Sequence, residues 1–384
     1  PDGYKRTLVA EGFDDPVMGM AIRDGKLWAT SNNFLYRFDL SETGPATNKT
    51  TLVVDKNKAW NPFGMFVLEW GPDGKLYMSV GNHNIDLRGP GDEQMSGRGG
   101  SGIVLRMNDD GSRMERLTHG LRVPYSFDYD PFGQLWLLSN GQGNPDRFLR
   151  VIDGVDYHCY SRGGVDNNWL AGNHPLAPPC FELPRGASTQ LIRYYGAAYP
   201  DEIQGSLLLN NWGAHGFQAP DRTIFRYVPD ERNNIVHKEP WITCRDPHFR
   251  SSHILLAPDG DLLISDWYGR DDESDVTGRI WKVSYDGPDK PKSAEVSLDS
   301  PRWNEQAFAL AALGSRSHMV RERAIAVLAG QGVKAADALG AHLAACENPL
   351  GAAGAVWALA RAGDPAALRQ LAKAARNPDW RIRR

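Results

Sequence analysis

Side chains able to grip, stack on or deprotonate a ligand recur in this chain at the edges of short apolar runs. They are His83, Arg122, Asn140, Gln142, Asn211, Trp212, His215, His248, Arg250, His253, Trp267 and Tyr268. Arginine holds carboxylates through two parallel hydrogen bonds, so Arg122 and Arg250 suit an acidic ligand. Indole and phenol rings at Trp212, Trp267 and Tyr268 can stack on a planar cofactor or a sugar face. Histidines at 83 and 215 can accept a proton from a hydroxyl. The acidic stretch Asp266, Asp271, Glu273 and Asp275 offers carboxylates to Ca²⁺, but it lacks the glycine and closing glutamate of an EF-hand loop. Taken singly, each of these residues is as well explained by loop stabilisation. Together they make a site only if the fold brings them to one face.

The elements that would do so are hairpins. In Gly120-Leu121-Arg122-Val123-Pro124, followed by the strands Tyr125 to Asp130 and Gln134 to Ser139, the tetrapeptide Asp130-Pro131-Phe132-Gly133 is a tight turn. Pro131 presets φ and Gly133 takes a positive φ. A hairpin returns to where it began, which places Arg122 and Asn140 at one end. The unit recurs with turn glycines at 25, 74, 133, 205 and 260. Self-similar strand units at this long, uneven interval predict a β-propeller. At about 50 residues per blade, residues 1–286 predict six blades, five of them visible and the sixth inferred from length. An outer strand is expected over Lys5 to Val9. The glycine-rich loop from Arg88 to Gly100 could cradle an anion with its N–H groups, or be a long loop at the top of the propeller.

Composition narrows the function. With 43 Lys and Arg against 47 Asp and Glu, and no basic run, nucleic-acid binding has little support. No apolar run reaches the ~18 residues of a membrane span. Of the four cysteines, Cys159 and Cys180 flank a Gly/Pro/Asn-rich insertion and are either a disulfide pair, worth ~3 kcal/mol, or two unrelated buried thiols. No Cys-x-x-Cys-His occurs, so no c-type haem attaches within the chain.

Residues 287–301 read as a linker, and residues 302–384 turn to Ala and Leu at helical spacing. Ala324, Leu328 and Gly332 recur as Ala355, Leu359 and Gly363, which predicts paired helices resembling short bacterial HEAT repeats. A third repeat starts at Ile382-Arg383, so the natural polypeptide is expected to continue beyond Arg384.

Gly120-Leu121-Arg122-Val123-Pro124 with Gly133-Gln134-Leu135-Trp136 resembles the Gly-x-Arg-Asn-Pro segment of soluble pyrroloquinoline quinone (PQQ)-dependent aldose dehydrogenases. Gly74 to Tyr77 with Gly81-Asn82-His83, and Ile103 to Gly111, resemble that family's neighbouring segments in the same order. Asp266-Trp267-Tyr268 and Thr277 to Val283, followed by HEAT-like repeats, are similar to the "membrane-bound dehydrogenase" proteins of planctomycetes and verrucomicrobia. The resemblance implies an exported or periplasmic quinoprotein that oxidises a sugar or alcohol and passes electrons to a c-type cytochrome. It implies PQQ and Ca²⁺ as cofactors. Arg122 matches the family's cofactor-contacting arginine and His83 falls at a cofactor-side glutamine. His83, or else His215, would therefore have to substitute as the catalytic base beside Arg122. Arg122, Asn140, Gln142, Asn211, Trp212, His215, His248, Arg250, His253, Trp267 and Tyr268 would line the cofactor site. The chain departs from the pattern in three places. Val123 stands where the asparagine would be, Asn61 to Phe66 contains no base where the catalytic histidine is expected, and Asn144 to Arg147 replaces part of the calcium-binding stretch. A second reading therefore stays open, a propeller without catalysis that binds carbohydrate or a partner protein.

Overall fold

The protein is described by a computed structural model covering residues 7–59, 63–97, 99–140, 146–160, 169–170, 181–183, 188–212, 223–267, 278–291 and 296–383. Its β part is a propeller of five blade sheets. The first sheet runs Gly19–Arg23, Lys26–Ser31, Phe34–Asp39 and Thr47–Asp55, and the second Met65–Trp70, Leu76–Val80, Gly102–Met107 and Glu115–Leu121. The third orders Val123–Tyr129, Leu135–Asn140, Arg147–Arg150 and Phe181–Glu182. The fourth orders Ser188–Arg193, Leu207–Asn211, Thr223–Pro229 and Ile235–Thr243, and the fifth is three-stranded, Ser251–Leu256, Leu262–Asp266 and Arg279–Val283.

The expected sixth blade is corrected: among the described residues there are five blade sheets and no sixth. The turn glycines were the true count, because each of the five joins the first two strands of one sheet at φ between +71° and +85°. Chain length misled because residues outside the blades consume it. A hairpin, Asp86–Arg88 with Gln94–Ser96, extends the first sheet beyond Asp55. A second two-stranded piece, Cys159–Tyr160 with Trp169–Leu170, lies in the connection inside the third. The first of these pieces is the glycine-rich stretch, and it is ordered by Glu93, whose carboxylate accepts the N–H groups of Arg113 and Met114 at 2.6 and 2.7 Å. Of the outer strand expected at Lys5 to Val9, residues 5 and 6 lie outside the described residues and Thr7–Val9 are not in a strand.

Two compact units divide the chain. One comprises residues 1–71, 75–128 and 135–189, the other 72–74, 129–134 and 190–384. In the first unit, the second strand of each sheet is an apolar run buried on both faces, as Leu76–Val80 and Leu135–Asn140 show. Met65, Met78, Ile103 and Leu105 are wholly buried around them.

The second unit holds six helices among the described residues: α1 (Gln306–Ala312), α2 (His318–Gly330), α3 (Val333–Ala345), α4 (Pro349–Ala362), α5 (Pro365–Ala374) and α6 (Trp380–Arg383). Ser317, Asn348 and Asp364 cap α2, α4 and α5 by accepting first-turn N–H groups, and Gly363 ends α4 at φ +63°. The α2 helix packs on α4 and α3 on α5, burying Ala324, Leu328, Leu339, Ala355 and Leu359. The helices are fastened to hairpin tips. Trp357 donates its indole N–H to the Pro131 carbonyl at 2.9 Å, and Arg361 donates to the Pro72 carbonyl at 2.7 Å while pairing with Glu322 at 2.7 Å. The Arg316 guanidinium donates to the Tyr199 carbonyl at 2.8 Å.

Two of the turn glycines differ in a way that unfolding measurements will read. A Cβ at Gly25 would meet nothing within 4 Å, whereas one at Gly133 would lie 2.7 Å from the Trp357 ring. Gly25→Ala is expected to cost only the left-handed backbone term, about 1–2 kcal/mol. Gly133→Ala is expected to cost more than that in denaturant titration. Trp357→Ala, which loses ring packing and the indole bond, is expected to cost about 2–4 kcal/mol.

Candidate functional site

In the first unit, Arg122 sits between the last strand of the second sheet and the first strand of the third. Its N–H donates to Ser139 Oγ at 3.3 Å and its carbonyl accepts the Asn82 N–H at 2.7 Å. Its guanidinium donates from Nη1 to Asn140 Oδ1 at 2.9 Å and lies 5.2 Å from the centre of the Phe63 ring. The hairpin thus brings together Arg122 and Asn140, eighteen residues apart in sequence. The guanidinium is buried, and a neutral amide orients it. Tyr125, on the first strand of the third sheet, is half-buried, and burial pushes its phenol up to about 12, with the Arg122 charge opposing.

His83 follows the second strand of its sheet but presents no vacant nitrogen. Nδ1 lies 3.0 Å from the Gly81 carbonyl and Nε2 lies 2.7 Å from Asp55 Oδ2. A carbonyl only accepts, so Nδ1 is the donor to Gly81, while Nε2 faces the Asp55 carboxylate. The side chains of both residues are almost fully buried. Asp55 also accepts the N–H groups of Asn57 and Asp86 through Oδ1, at 3.0 and 3.1 Å. This arrangement ties three segments together and makes His83 a brace.

Asn82 was not anticipated from the sequence. It is wholly buried, and neither polar atom of its amide has a hydrogen-bond partner among the described residues. The signal was present, since Asn32, Asn82, Asn140, Asn211 and Asp266 all stand at or just after the end of a second strand.

The second unit repeats the theme. Asn211 is wholly buried with both amide atoms unpartnered among the described residues. Arg250 is 1% exposed, donates from Nε to the Trp212 carbonyl at 2.9 Å and lies 3.7 Å over the Trp212 ring. Trp212 meets Trp267 edge to face at 6.2 Å, and Trp267 remains 39% exposed. Asp266 accepts the Arg250 N–H at 2.8 Å, two bonds from Arg279 at 2.7 and 3.0 Å, and the Trp281 indole N–H at 3.0 Å. Its carboxylate is therefore filled by an arginine and an indole. His248 and His253 are exposed, the latter on the first strand of the fifth sheet.

Gln142, His215, Tyr268, Asp271, Asp275 and Cys180 lie outside the described residues. Among the described residues no group of three or more His, Cys, Asp or Glu is arranged to hold a metal ion, and no helix is long and apolar enough to cross a membrane.

The Asp55–His83 pair makes a quantitative prediction. Asp55→Ala removes the anchor of two backbone N–H groups and one imidazole and is expected to cost about 3–5 kcal/mol. His83→Ala leaves the carboxylate its two backbone donors and is expected to cost less, about 1–3 kcal/mol. Chemical unfolding of both variants at neutral pH checks the order.

No protein-family model and no curated protein sequence matches the chain. Solved structures do. An oxidoreductase (glucose dehydrogenase) of Thermus thermophilus aligns at TM-score 0.50 and 19% identity, over 73% of this chain and 86% of its own. The PQQ domain of pyranose dehydrogenase from Coprinopsis cinerea aligns at TM-score 0.49 and 13% identity, over 70% and 81%. The soluble aldose sugar dehydrogenase of Escherichia coli aligns at 0.47 and 16%, over 68% and 78%. At these identities the likeness is one of fold, shared by the β part of this chain with the Thermus thermophilus glucose dehydrogenase structure.

Proposed function

We propose that the chain is a quinoprotein-type dehydrogenase propeller that binds PQQ and acts on a sugar or alcohol. One observation carries the reading: the guanidinium of Arg122, the arginine of the Gly-Leu-Arg-Val-Pro segment, is buried and oriented by Asn140 at the strand-end face of the third sheet. The donor chemistry fits the cofactor, since a planar guanidinium and a strand-end amide suit its carboxylates. PQQ, when bound, supplies the hydride acceptor. This chain's residues would hold and orient it, Arg122 with Asn140 in the first unit. Ca²⁺, export to the periplasm and electron transfer to a c-type cytochrome belong to the same proposal, as does the planctomycete and verrucomicrobial kinship. The stacking of α2 on α4 and α3 on α5 supports reading the helices as HEAT-like repeats.

A second reading, a propeller that binds carbohydrate or protein without turnover, draws on His83. Hydroxyl oxidation needs a base with a vacant nitrogen or carboxylate, and both nitrogens of this ring are engaged. Mixing the chain with PQQ and Ca²⁺, then ultrafiltering, separates the two. The dehydrogenase reading expects retained quinone absorbance at micromolar concentration and dye reduction with some member of a sugar panel. Arg122→Ala is expected to weaken retention by about tenfold or more, a loss on the order of 1.4 kcal/mol. Retention without dye reduction favours the second reading, and no retention at micromolar concentration removes the dehydrogenase reading.

A further inference from the structure

Two buried imidazoles face one carboxylate beside the segment that leads into Arg122. Asp156, in the connection that follows Arg147–Arg150, places Oδ2 3.4 Å from His119 Nε2 and 4.0 Å from His158 Nδ1. The two histidines are 7% and 6% exposed. The other oxygen, Oδ1, accepts the His158 N–H at 2.8 Å and sustains His158 at φ +60°, a left-handed conformation that residues with a Cβ seldom adopt. We propose that Asp156 is a positioning residue for Arg122: it clasps the end of Glu115–Leu121, the last strand of the second sheet, and thereby fixes where the guanidinium stands. The inference rests on the dehydrogenase reading only for the ligand that Arg122 holds.

The clasp closes on the backbone as well. His119 bridges to Asp156 in parallel, its carbonyl accepts the Tyr157 N–H at 2.9 Å, and Thr118 Oγ1 donates to the Val155 carbonyl at 2.5 Å. Arg147 spans the two segments, donating from Nη1 to the Tyr157 carbonyl at 2.7 Å and from Nη2 to the Gly120 carbonyl at 3.3 Å. Gly120 has to be glycine for this packing. It sits at φ +75°, and a Cβ there would overlap Asp156 Oδ1 and the backbone nitrogens of Tyr157 and His158. The first glycine of Gly-Leu-Arg-Val-Pro is therefore set by the loop of Asp156, two residues before the arginine. Cys159, next after His158, ties the loop to the guanidinium: burial pushes its thiol up, with the Arg147 and Arg122 charges opposing. Downstream the Asn82 N–H, Ser139 and Asn140 take over the hold on Arg122. A left-handed histidine is kept only where surrounding contacts over-determine it, and here those contacts converge on the approach to the guanidinium.

The test is a double-mutant cycle on the whole chain: wild type, Asp156→Ala, Arg122→Ala and the double variant, each mixed with PQQ and Ca²⁺ and ultrafiltered. Asp156→Ala is expected to weaken quinone retention on the order of tenfold, like Arg122→Ala itself. In the Arg122→Ala background it is expected to add nothing, because a group that acts through Arg122 has nothing left to act on. The same loss in both backgrounds overturns the proposal and leaves Asp156 a structural residue. Asp156→Asn keeps the Oδ1 acceptor while removing the charge that the imidazoles face, and it replaces Asp156→Ala in the cycle should that variant not fold. A second readout needs no quinone: the nitrogen-15 Nε–H resonance of Arg122, assigned by its absence from Arg122→Ala. It is expected to shift or broaden in Asp156→Ala while the signals of Arg250 and Arg279 stay in place, and an unmoved Arg122 signal overturns the proposal. A wild type that retains no PQQ removes the dehydrogenase reading and leaves the clasp to be decided on this resonance.

Discussion

The left-handed glycine at the hairpin tip is the constraint from which the rest follows. At Gly133 the chain reverses at φ +84°, and the strands on either side come back to one edge. Everything at that edge is then a meeting of chain ends: the residue before a first strand with the residue after a second. Arg122 meets Asn140 this way, and in the other unit Arg250 meets Asp266 and Trp267, donating its N–H to the Asp266 carboxylate and accepting the Trp267 N–H. Sheets whose second strands are apolar on both faces need polar groups where they stop, because the backbone there leaves the ladder. The strand-end asparagines and aspartates occupy those positions.

Burial at that edge decides what its charges do. A guanidinium or carboxylate taken out of water must be surrounded by partners. Asp266 has Arg279 and Trp281, Asp55 has His83 and two backbone N–H groups, and Arg250 has the Trp212 carbonyl and ring. Each contact holds a loop against a strand end. Preorganisation of this kind is what a ligand site requires, since groups fixed in advance lose little freedom on binding. It also means that a residue type suited to chemistry can be consumed by architecture, as His83 is.

What could be read in the sequence was local. A tight turn names its own glycine, so all five blades and the shared end of Arg122 and Asn140 were legible from a few consecutive residues. What could not be read joins residues far apart. Trp357 reaches Pro131 across 226 positions and Arg361 reaches Pro72 across 289, and nothing in either neighbourhood marks the other. The sharp change to Ala and Leu beyond residue 301 suggested a segment apart, whereas its helices share a compact unit with two hairpin tips. The sixth blade failed for a related reason, since residue count cannot distinguish a blade from a hairpin appended to one. Asp55 was passed over because an acidic residue at a strand end looks solvated until its partners, His83 and the Asn57 and Asp86 N–H groups, are known.

Holding and proton transfer are separable properties of such an edge, and this chain separates them by residue type. Amides and guanidiniums hold without titrating near neutrality, so Asn140, Arg122 and Arg250 present the same hydrogen-bonding faces across the physiological range. An imidazole could couple binding to protons, but that of His83 is clamped between a carbonyl and a buried carboxylate and serves as a brace.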